Sequence, residues 1–234
     1  MFQFKKFAVD QTGCAMKINT DGVLLGALAE ADQPKTILDI GTGTGVIALM
    51  LAQRYGEAQI DAVEIDEIAA KTAENNFKNS PFSGRLTGYS MGFEHFFEQN
   101  PAKRYDMIVS NPPFFINSLK SSEAKRGLAK HTDETFFKRL ISITAKHLNP
   151  KGIFWLVLPI DTSKKIKQVS EERSMVIKQI IDVCSYPDSI PHREIIALSL
   201  EESETIKSKF VIYDMPNKYS EQYQEALKDF FIIF

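Results

Sequence analysis

Thr36-Ile37-Leu38-Asp39-Ile40-Gly41-Thr42-Gly43-Thr44-Gly45, running directly into Val46-Ile47-Ala48-Leu49-Met50-Leu51-Ala52-Gln53-Arg54, decides the fold. The apolar run over 36–40 reads as a buried strand, the glycines at alternate positions as a tight turn, and 46–54 as a helix. In an open α/β sheet that turn, between strand end and helix start, is where ligands bind. Glycine lets a ligand approach the backbone closely. A dinucleotide fingerprint, G-x-G-x-x-G, would need a glycine where Val46 stands, so the turn is G-x-G-x-G. It suits a ligand with a ribose and a charged amino-acid tail better than a diphosphate.

Downstream the rhythm repeats. A strand over 59–65 leads into a helix over 66–78, stopped by Asn79-Ser80-Pro81. Glu64 lies near the end of that strand, where a carboxylate accepts hydrogen bonds from both hydroxyls of a ribose. Together Asp39, Gly41, Gly43, Gly45 and Glu64 describe an S-adenosylmethionine pocket; the alternative is a glycine-rich structural turn followed by a surface glutamate. Further strands are predicted over 85–90 and 105–110, the latter ending at Asn111-Pro112-Pro113-Phe114. Thr132 or Asp133 caps a helix through Phe136, Leu140 and Leu148, and Asn149-Pro150-Lys151-Gly152 turns the chain into a strand over 153–158.

Strands alternating with helical patterns imply a doubly wound α/β fold with a mostly parallel sheet. The last third reads as strands over 176–183, 193–200 and 209–213 with few intervening helices, an antiparallel C-terminal edge, before a final helix from Ser220. The lead-in carries a short helix capped by Thr20. One domain, 1–234, is expected: a lead-in over 1–34, a cofactor-binding core over 35–160, and a sheet edge with its helix over 161–234. Between Phe114 and Thr132 lies the longest segment without an assigned element, and such loops are often functional.

Composition narrows the function. The chain has 234 residues, 44% hydrophobic and 25% charged, as expected of a folded globular protein and enough for one α/β domain. With 28 Lys+Arg against 30 Asp+Glu the net charge is -2, so a nucleic-acid surface must be a local patch. Cys14 and Cys184 form no CxxC, which suggests neither a disulfide framework nor a metal site and suits the cytoplasm. Apolar runs fall well short of the roughly 18 residues of a membrane span.

Asn111-Pro112-Pro113-Phe114 closes the strand beside the first, so it faces the same crevice. The exocyclic amine of adenine is a poor nucleophile because its lone pair is delocalised into the ring. Accepting hydrogen bonds from both of its N–H groups makes that nitrogen more nucleophilic, and the Asn111 side-chain oxygen and the Pro112 carbonyl supply two acceptors. Pro112 and Pro113 stiffen the backbone, and Phe114 offers a face on which the base stacks. The alternative is a proline-rich turn with a core phenylalanine.

DIGTGTG, Glu64 and NPPF resemble class I methyltransferases acting on amino groups of adenine or of release-factor glutamine. The run 14–27 (CAMKINTDGVLLGA), with Leu49 to Arg54, Pro191-His192-Arg193 and Tyr219-Ser220-Glu221, is similar to the bacterial tRNA1(Val) (adenine(37)-N6)-methyltransferases over nearly the whole chain. The resemblance implies a Rossmann-like sheet and a monomeric, cytoplasmic, metal-free enzyme that uses S-adenosylmethionine on tRNA. It implies that residues 17–22, with Lys17 and Thr20, close over the cofactor, that Asp39 and Gly41 meet its methionine end, and that Glu64 holds the ribose. The same resemblance implies that Asn111 to Phe114 hold the target adenine. Many relatives carry an Asp after the third strand for the cofactor's adenine; Gly92 stands there, with Ser90 and Glu94 nearby, and Phe114 stands where Tyr is commoner.

The RNA would meet local cations: Lys125, Arg126, Lys130 and His131 after NPPF first, then His192 and Arg193, with Lys5, Lys6, Lys17 and Lys120 as further candidates. Lys164, Lys165 and Lys167 read as a solvated helix face, His95 and His147 as structural or exposed, and 230–234 as core packing. Competing readings are a release-factor glutamine methyltransferase, another adenine-N6 methyltransferase acting on rRNA or DNA, and a non-catalytic RNA-binding protein on the same fold.

Overall fold

The computed structural model describes residues 1–112 and 123–234, the side chains of 123–134 excepted. In chain order the elements are β1 (Phe2–Gln3), β2 (Ala8–Val9), α1 (Thr20–Leu28), β3 (Thr36–Ile40), α2 (Val46–Arg54), β4 (Gln59–Glu64), α3 (Glu67–Lys78), β5 (Leu86–Ser90), α4 (Phe93–Gln99) and β6 (Tyr105–Ser110). There follow α5 (Glu123–His147), β7 (Leu148–Pro159), α6 (Ile160–Glu171), β8 (Val176–Cys184), β9 (Arg193–Ser199), β10 (Ile206–Val211), β11 (Tyr213–Met215), β12 (Lys218–Tyr219) and α7 (Glu221–Leu227).

Among the described residues the large sheet runs β10-β8-β9-β7-β6-β3-β4-β5. From β5 to β7 all pairs are parallel. The expected antiparallel pairing of the C-terminal part is present and comes from a single reversed strand: β9 opposes both β7 and β8, whereas β10 runs parallel to β8. Without a crossover helix between them, β8 and β9 turn back on one another. The short link after β9 then starts β10 beside β8, pointing the same way as β3. The ends of β3, β4, β6, β8 and β10 and the start of β9 therefore share one edge.

Alternation along the strands fills two cores. Ile37, Trp155 and Val157 face α1, α2 and α7, while Leu38, Ile40, Phe154 and Leu156 face α4, α5 and α6. Helix α2 is apolar almost all round and buried from Val46 to Ala52. Its end is met from outside: Arg85 donates to the carbonyl of Ala52 in the last turn and to those of Tyr55 and Ala58 just beyond it.

Several expectations are corrected. The cap of α1 is Asn19, whose side chain accepts from the Gly22 amide, rather than Thr20. Helix α5 begins at Glu123, so Thr132 and Asp133 lie inside it; the run 123–130, with Glu, Ala, Lys, Arg and Leu, is made largely of good helix formers. Strand β7 already pairs at Leu148, and Asn149-Pro150-Lys151-Gly152 forms an irregularity within it. Lys164 and Lys165 are solvated, but Lys167 is half-buried and pairs with Glu194 at 2.5 Å. The Lys5 ammonium is tied to the carbonyls of Lys228 and Phe234, fastening the two ends of the chain together. Phe230 is buried, whereas Ile232 and Ile233 are exposed. His95 is exposed, and His147 stacks on Phe97 with its pKa held below the usual value by burial.

Candidate active site

The glycine turn is built on left-handed backbone, with φ of +72° at Gly41, +56° at Gly43 and +81° at Gly45. The amides of Gly41 and Thr42 donate to the Val63 carbonyl, at 2.9 and 3.1 Å. Glu64, at the end of the neighbouring strand, accepts from the Gly43 amide and the Asp66 amide, both at 2.9 Å. A carboxylate that closes the turn with one lone pair on each oxygen keeps others for a ligand. Gly41 and Gly43 face open space where a Cβ would sit. Gly45 does not: its Cβ would lie 2.5 Å from the Phe77 ring, so this glycine serves the packing of α2 on α3.

Asp39 is fully buried beneath the turn. Its Oδ2 accepts from the Thr42 hydroxyl at 2.6 Å, and its Oδ1 has no hydrogen-bond partner. Burial pushes its carboxyl up to about 7, opposed by the Thr42 and Ala48 hydrogen bonds and reinforced by the nearby Glu64 charge. Asp39 thus shapes the turn from below and does not line the cleft.

Asn111 follows directly on β6, whose last residue, Ser110, donates to the Ile40 carbonyl at 2.9 Å and so locks β6 to β3. The Asn111 side chain is 8% exposed and its Oδ1 is unpartnered. The first turn of α1 walls it in: a Cβ on Gly22 would stand 3.6 Å from Asn111 Nδ2. Pro112 is buried beside it.

These residues open into one cleft of about 460 Å³. Gly41, Gly43, Glu64, Gly92, Asn111 and Pro112 line it together with Ile40, Val63, Ile65, Met91, Phe93 and Phe136. Carboxylates at Glu64, Asp66 and Glu94 stand among these apolar walls. The position that a Gly92 side chain would start from lies 3.5 Å from Glu94 Oε2, so a carboxylate is present there although Gly92 itself has none. The lead-in contributes Cys14, Ala15 and Met16, held over the turn because Asn76 donates to both the Asp10 and Thr44 carbonyls. An apolar slot with open glycines, a carboxylate at Glu64 and an unpartnered buried amide oxygen fits an adenosine bearing a charged tail and a second, amine-bearing ring. Among the described residues no group of three His, Cys, Asp or Glu is arranged to hold a metal ion, and no helix is long and apolar enough to cross a membrane.

A family model described as methyltransferase small domain matches residues 19–179. A tRNA1(Val) (adenine(37)-N6)-methyltransferase of Pedobacter heparinus is 46% identical over 233 residues, covering 100% of this chain and 98% of the relative. The chain belongs to that methyltransferase family. A protein of the same description from Parabacteroides distasonis is 42% identical over 232 residues, 99% of this chain and 97% of its own. The protein Atu636 of Agrobacterium tumefaciens, a predicted O-methyltransferase, shares the fold with a TM-score of 0.66 over 90% of this chain and 96% of its own, at 14% identity.

The expected site residues divide accordingly. The cleft gathers Gly41, Gly43, Glu64, Gly92, Asn111 and Pro112. Lys17 is exposed, and Thr20 lines a different groove with Phe2 and Tyr219, so 14–16 rather than the expected 17–22 overhang the cleft. Ser90 is exposed opposite Glu64 in the sheet and does not line it. Pro113 and Phe114 lie outside the described residues, as do the side chains of Lys125, Arg126, Lys130 and His131. His192 and Arg193 sit on the same edge of the sheet. His192 is exposed, its pKa lowered by partial burial and by Arg193, while Arg193 donates to Asp21 at 2.8 Å and so braces the start of α1. Sequence reasoning missed the apolar walls Ile65, Met91, Phe93 and Phe136, whose only signal is their place just after a strand or within a helix facing the crevice.

Proposed function

We propose that the chain is a tRNA adenine-N6 methyltransferase that uses S-adenosylmethionine, with adenine 37 beside the anticodon of tRNA1(Val) as its target. The observation that carries this reading is Asn111: a buried amide oxygen with no partner, at the end of β6, lining the same cleft as Glu64 and the open glycines. Curated relatives that match nearly the whole chain bear this name. When bound, S-adenosylmethionine supplies a methyl group activated on a sulfonium.

The chain's own residues do the rest by positioning. Gly41 and Gly43 offer open backbone to the methionine end of the cofactor, Glu64 accepts from the ribose hydroxyls, and Glu94 accepts from the cofactor's adenine amine. Asn111 Oδ1 and the Pro112 carbonyl accept from the two N–H groups of the target amine, localising its lone pair toward the methyl group. The apolar walls exclude water, which strengthens these hydrogen bonds. No strong base is needed before transfer, because the amine becomes acidic only as it gains the methyl group. Pro113 and Phe114 complete the base pocket on this reading, and His192 with the cations after NPPF meets the RNA. One domain, acting as a cytoplasmic monomer, serves both cofactor and RNA.

The test is incubation with radiolabelled S-adenosylmethionine and separate pools of tRNA, rRNA, DNA and release factor, followed by nucleoside analysis. Label in N6-methyladenosine from tRNA is expected. Label in release factor, or in rRNA or DNA with none in tRNA, overturns the reading.

A further inference from the structure

Beyond the cleft, a row of tyrosines runs from α7 through the β11–β12 pair to the same edge of the large sheet. Tyr223, in α7, stacks on Tyr219 with centroids 4.7 Å apart and planes 10° from parallel. Tyr219 stacks in turn on Tyr213 at 5.0 Å and 21°. Tyr213 meets Tyr186 at 5.8 Å, tilted by 37°. Exposure grows along the row, from 5% at Tyr223 to 38% at Tyr186. Tyr186 ends it, in the connection between β8 and β9.

That connection is held rigidly. The Ser189 amide and hydroxyl both donate to the Tyr186 carbonyl, and the Tyr186 amide donates to the Ser189 hydroxyl. Tyr213 donates its amide to the Ser185 carbonyl, and Lys209 reaches the Pro187 carbonyl. Ile190, in the same connection, is 85% exposed. A connection that holds Tyr186 on bonded backbone and leaves Ile190 exposed presents apolar surface to solvent.

The location gives the face a purpose. β8 stands three strand steps from β6 in the sheet order, about 14 Å at ordinary strand spacing. The start of β9, with His192 and Arg193, lies between them. A single-stranded loop whose target base enters at Asn111 would pass along this edge and reach Tyr186 within a few nucleotides. Every nucleobase has a π-face, and a ring already held against Tyr213 binds one with little further loss of freedom.

We propose that Tyr186 is the stacking platform for an unpaired nucleobase of the substrate RNA a few nucleotides from the methylated adenine, with Ile190 beside it. This rests on the reading of the chain as an RNA adenine-N6 methyltransferase. It makes Tyr186 a positioning residue that acts on RNA binding and leaves the chemical step alone.

The experiment compares wild type, Tyr186→Ala, Tyr186→Phe and Ile190→Glu on an anticodon stem-loop RNA in which 2-aminopurine replaces each non-target loop base in turn. Steady-state methylation and 2-aminopurine fluorescence are read together, with cofactor affinity as the folding control. Tyr186→Ala is expected to raise KM for RNA by roughly 5- to 100-fold, the range of a lost base–aromatic stack, with kcat within about twofold and cofactor affinity unchanged. One 2-aminopurine position should be quenched by wild type and by Tyr186→Phe but not by Tyr186→Ala, and Ile190→Glu should raise KM on a surface where folding is not at stake. Wild-type methylation with unchanged KM and quenching in Tyr186→Ala overturns the platform and leaves the proposed function standing. No methylation of the RNA by wild type overturns both.

Discussion

Asn111 keeps a buried side-chain oxygen without a partner, and such a group costs roughly 1–3 kcal/mol relative to one that is satisfied. A fold that retains this cost where a ligand enters holds an acceptor in reserve. Asn111→Ala should therefore leave stability within about 1 kcal/mol of wild type in urea unfolding while methyl transfer falls by about 100-fold or more, as when a single positioned hydrogen-bonding group is lost. Loss of stability in parallel with activity would mean that the residue only supports the fold. Glu64→Gln keeps an acceptor but removes the charge, and cofactor affinity by calorimetry is expected to fall by roughly 10- to 100-fold. Asp39 makes a prediction about pH. Its carboxyl holds a proton in the fold up to about 7 against an ordinary 3.8, so the folded chain binds more protons than the unfolded one across that window. Stability from this group is full below about 4, falls as pH rises toward about 7, and is level above. The stability gained by Asp39→Asn over wild type should accordingly grow by a few kcal/mol between pH 4 and 7 and then stay constant in urea melts; a difference independent of pH would count against the buried proton.

At this scale the sequence marked polar residues at strand ends, because a polar side chain closing an apolar strand is conspicuous. It could not mark engagement. Lys5, Lys167 and Arg193 read as free cations, yet their partners, Phe234, Glu194 and Asp21, are remote in sequence. Glu94 reaches the place vacated at Gly92 only because α4 turns there.

Elements were legible where local signals agree. Helix α2 spans Val46–Arg54 as its apolar run predicts, and α3 starts at its Asp66 cap. The start of α5 was hidden because residues such as Thr132 and Asp133 signal a cap while the residues before them favour helix. The reversal of β9 was hidden in part, since hydrophobic pattern marks a strand but not its direction. The two turn glycines that look equivalent in sequence differ in role. Gly45→Ala forces a Cβ to within 2.5 Å of Phe77 and is expected to cost several kcal/mol of stability in urea unfolding. Gly43→Ala meets open space, so it should cost about 1 kcal/mol of left-handed strain and show its main effect as weaker cofactor binding by calorimetry. If the two variants behaved alike, the turn would be acting as one packing unit.

For the whole molecule, a net charge of -2 gives no broad positive field, so on the proposed function RNA affinity would come from few phosphate contacts and from captured bases. The dependence of log affinity on log salt should be shallow, about -0.7 for each phosphate met by a single strand and no steeper than about -4 in total. The arrangement fits that economy: the cleft, Asn111, His192 and Tyr186 all lie at one edge of one sheet, which parallel strands with a single reversal bring together. The central claim is chemical and positional, and the direct measurement is site-resolved. Unmodified tRNA1(Val) incubated with the protein and S-adenosylmethionine, then digested and sequenced by mass spectrometry, should carry one methyl group on N6 of adenine 37 with wild type and none with Asn111→Ala. Methylation at another position, no methylation by wild type, or equal methylation by Asn111→Ala would contradict the account.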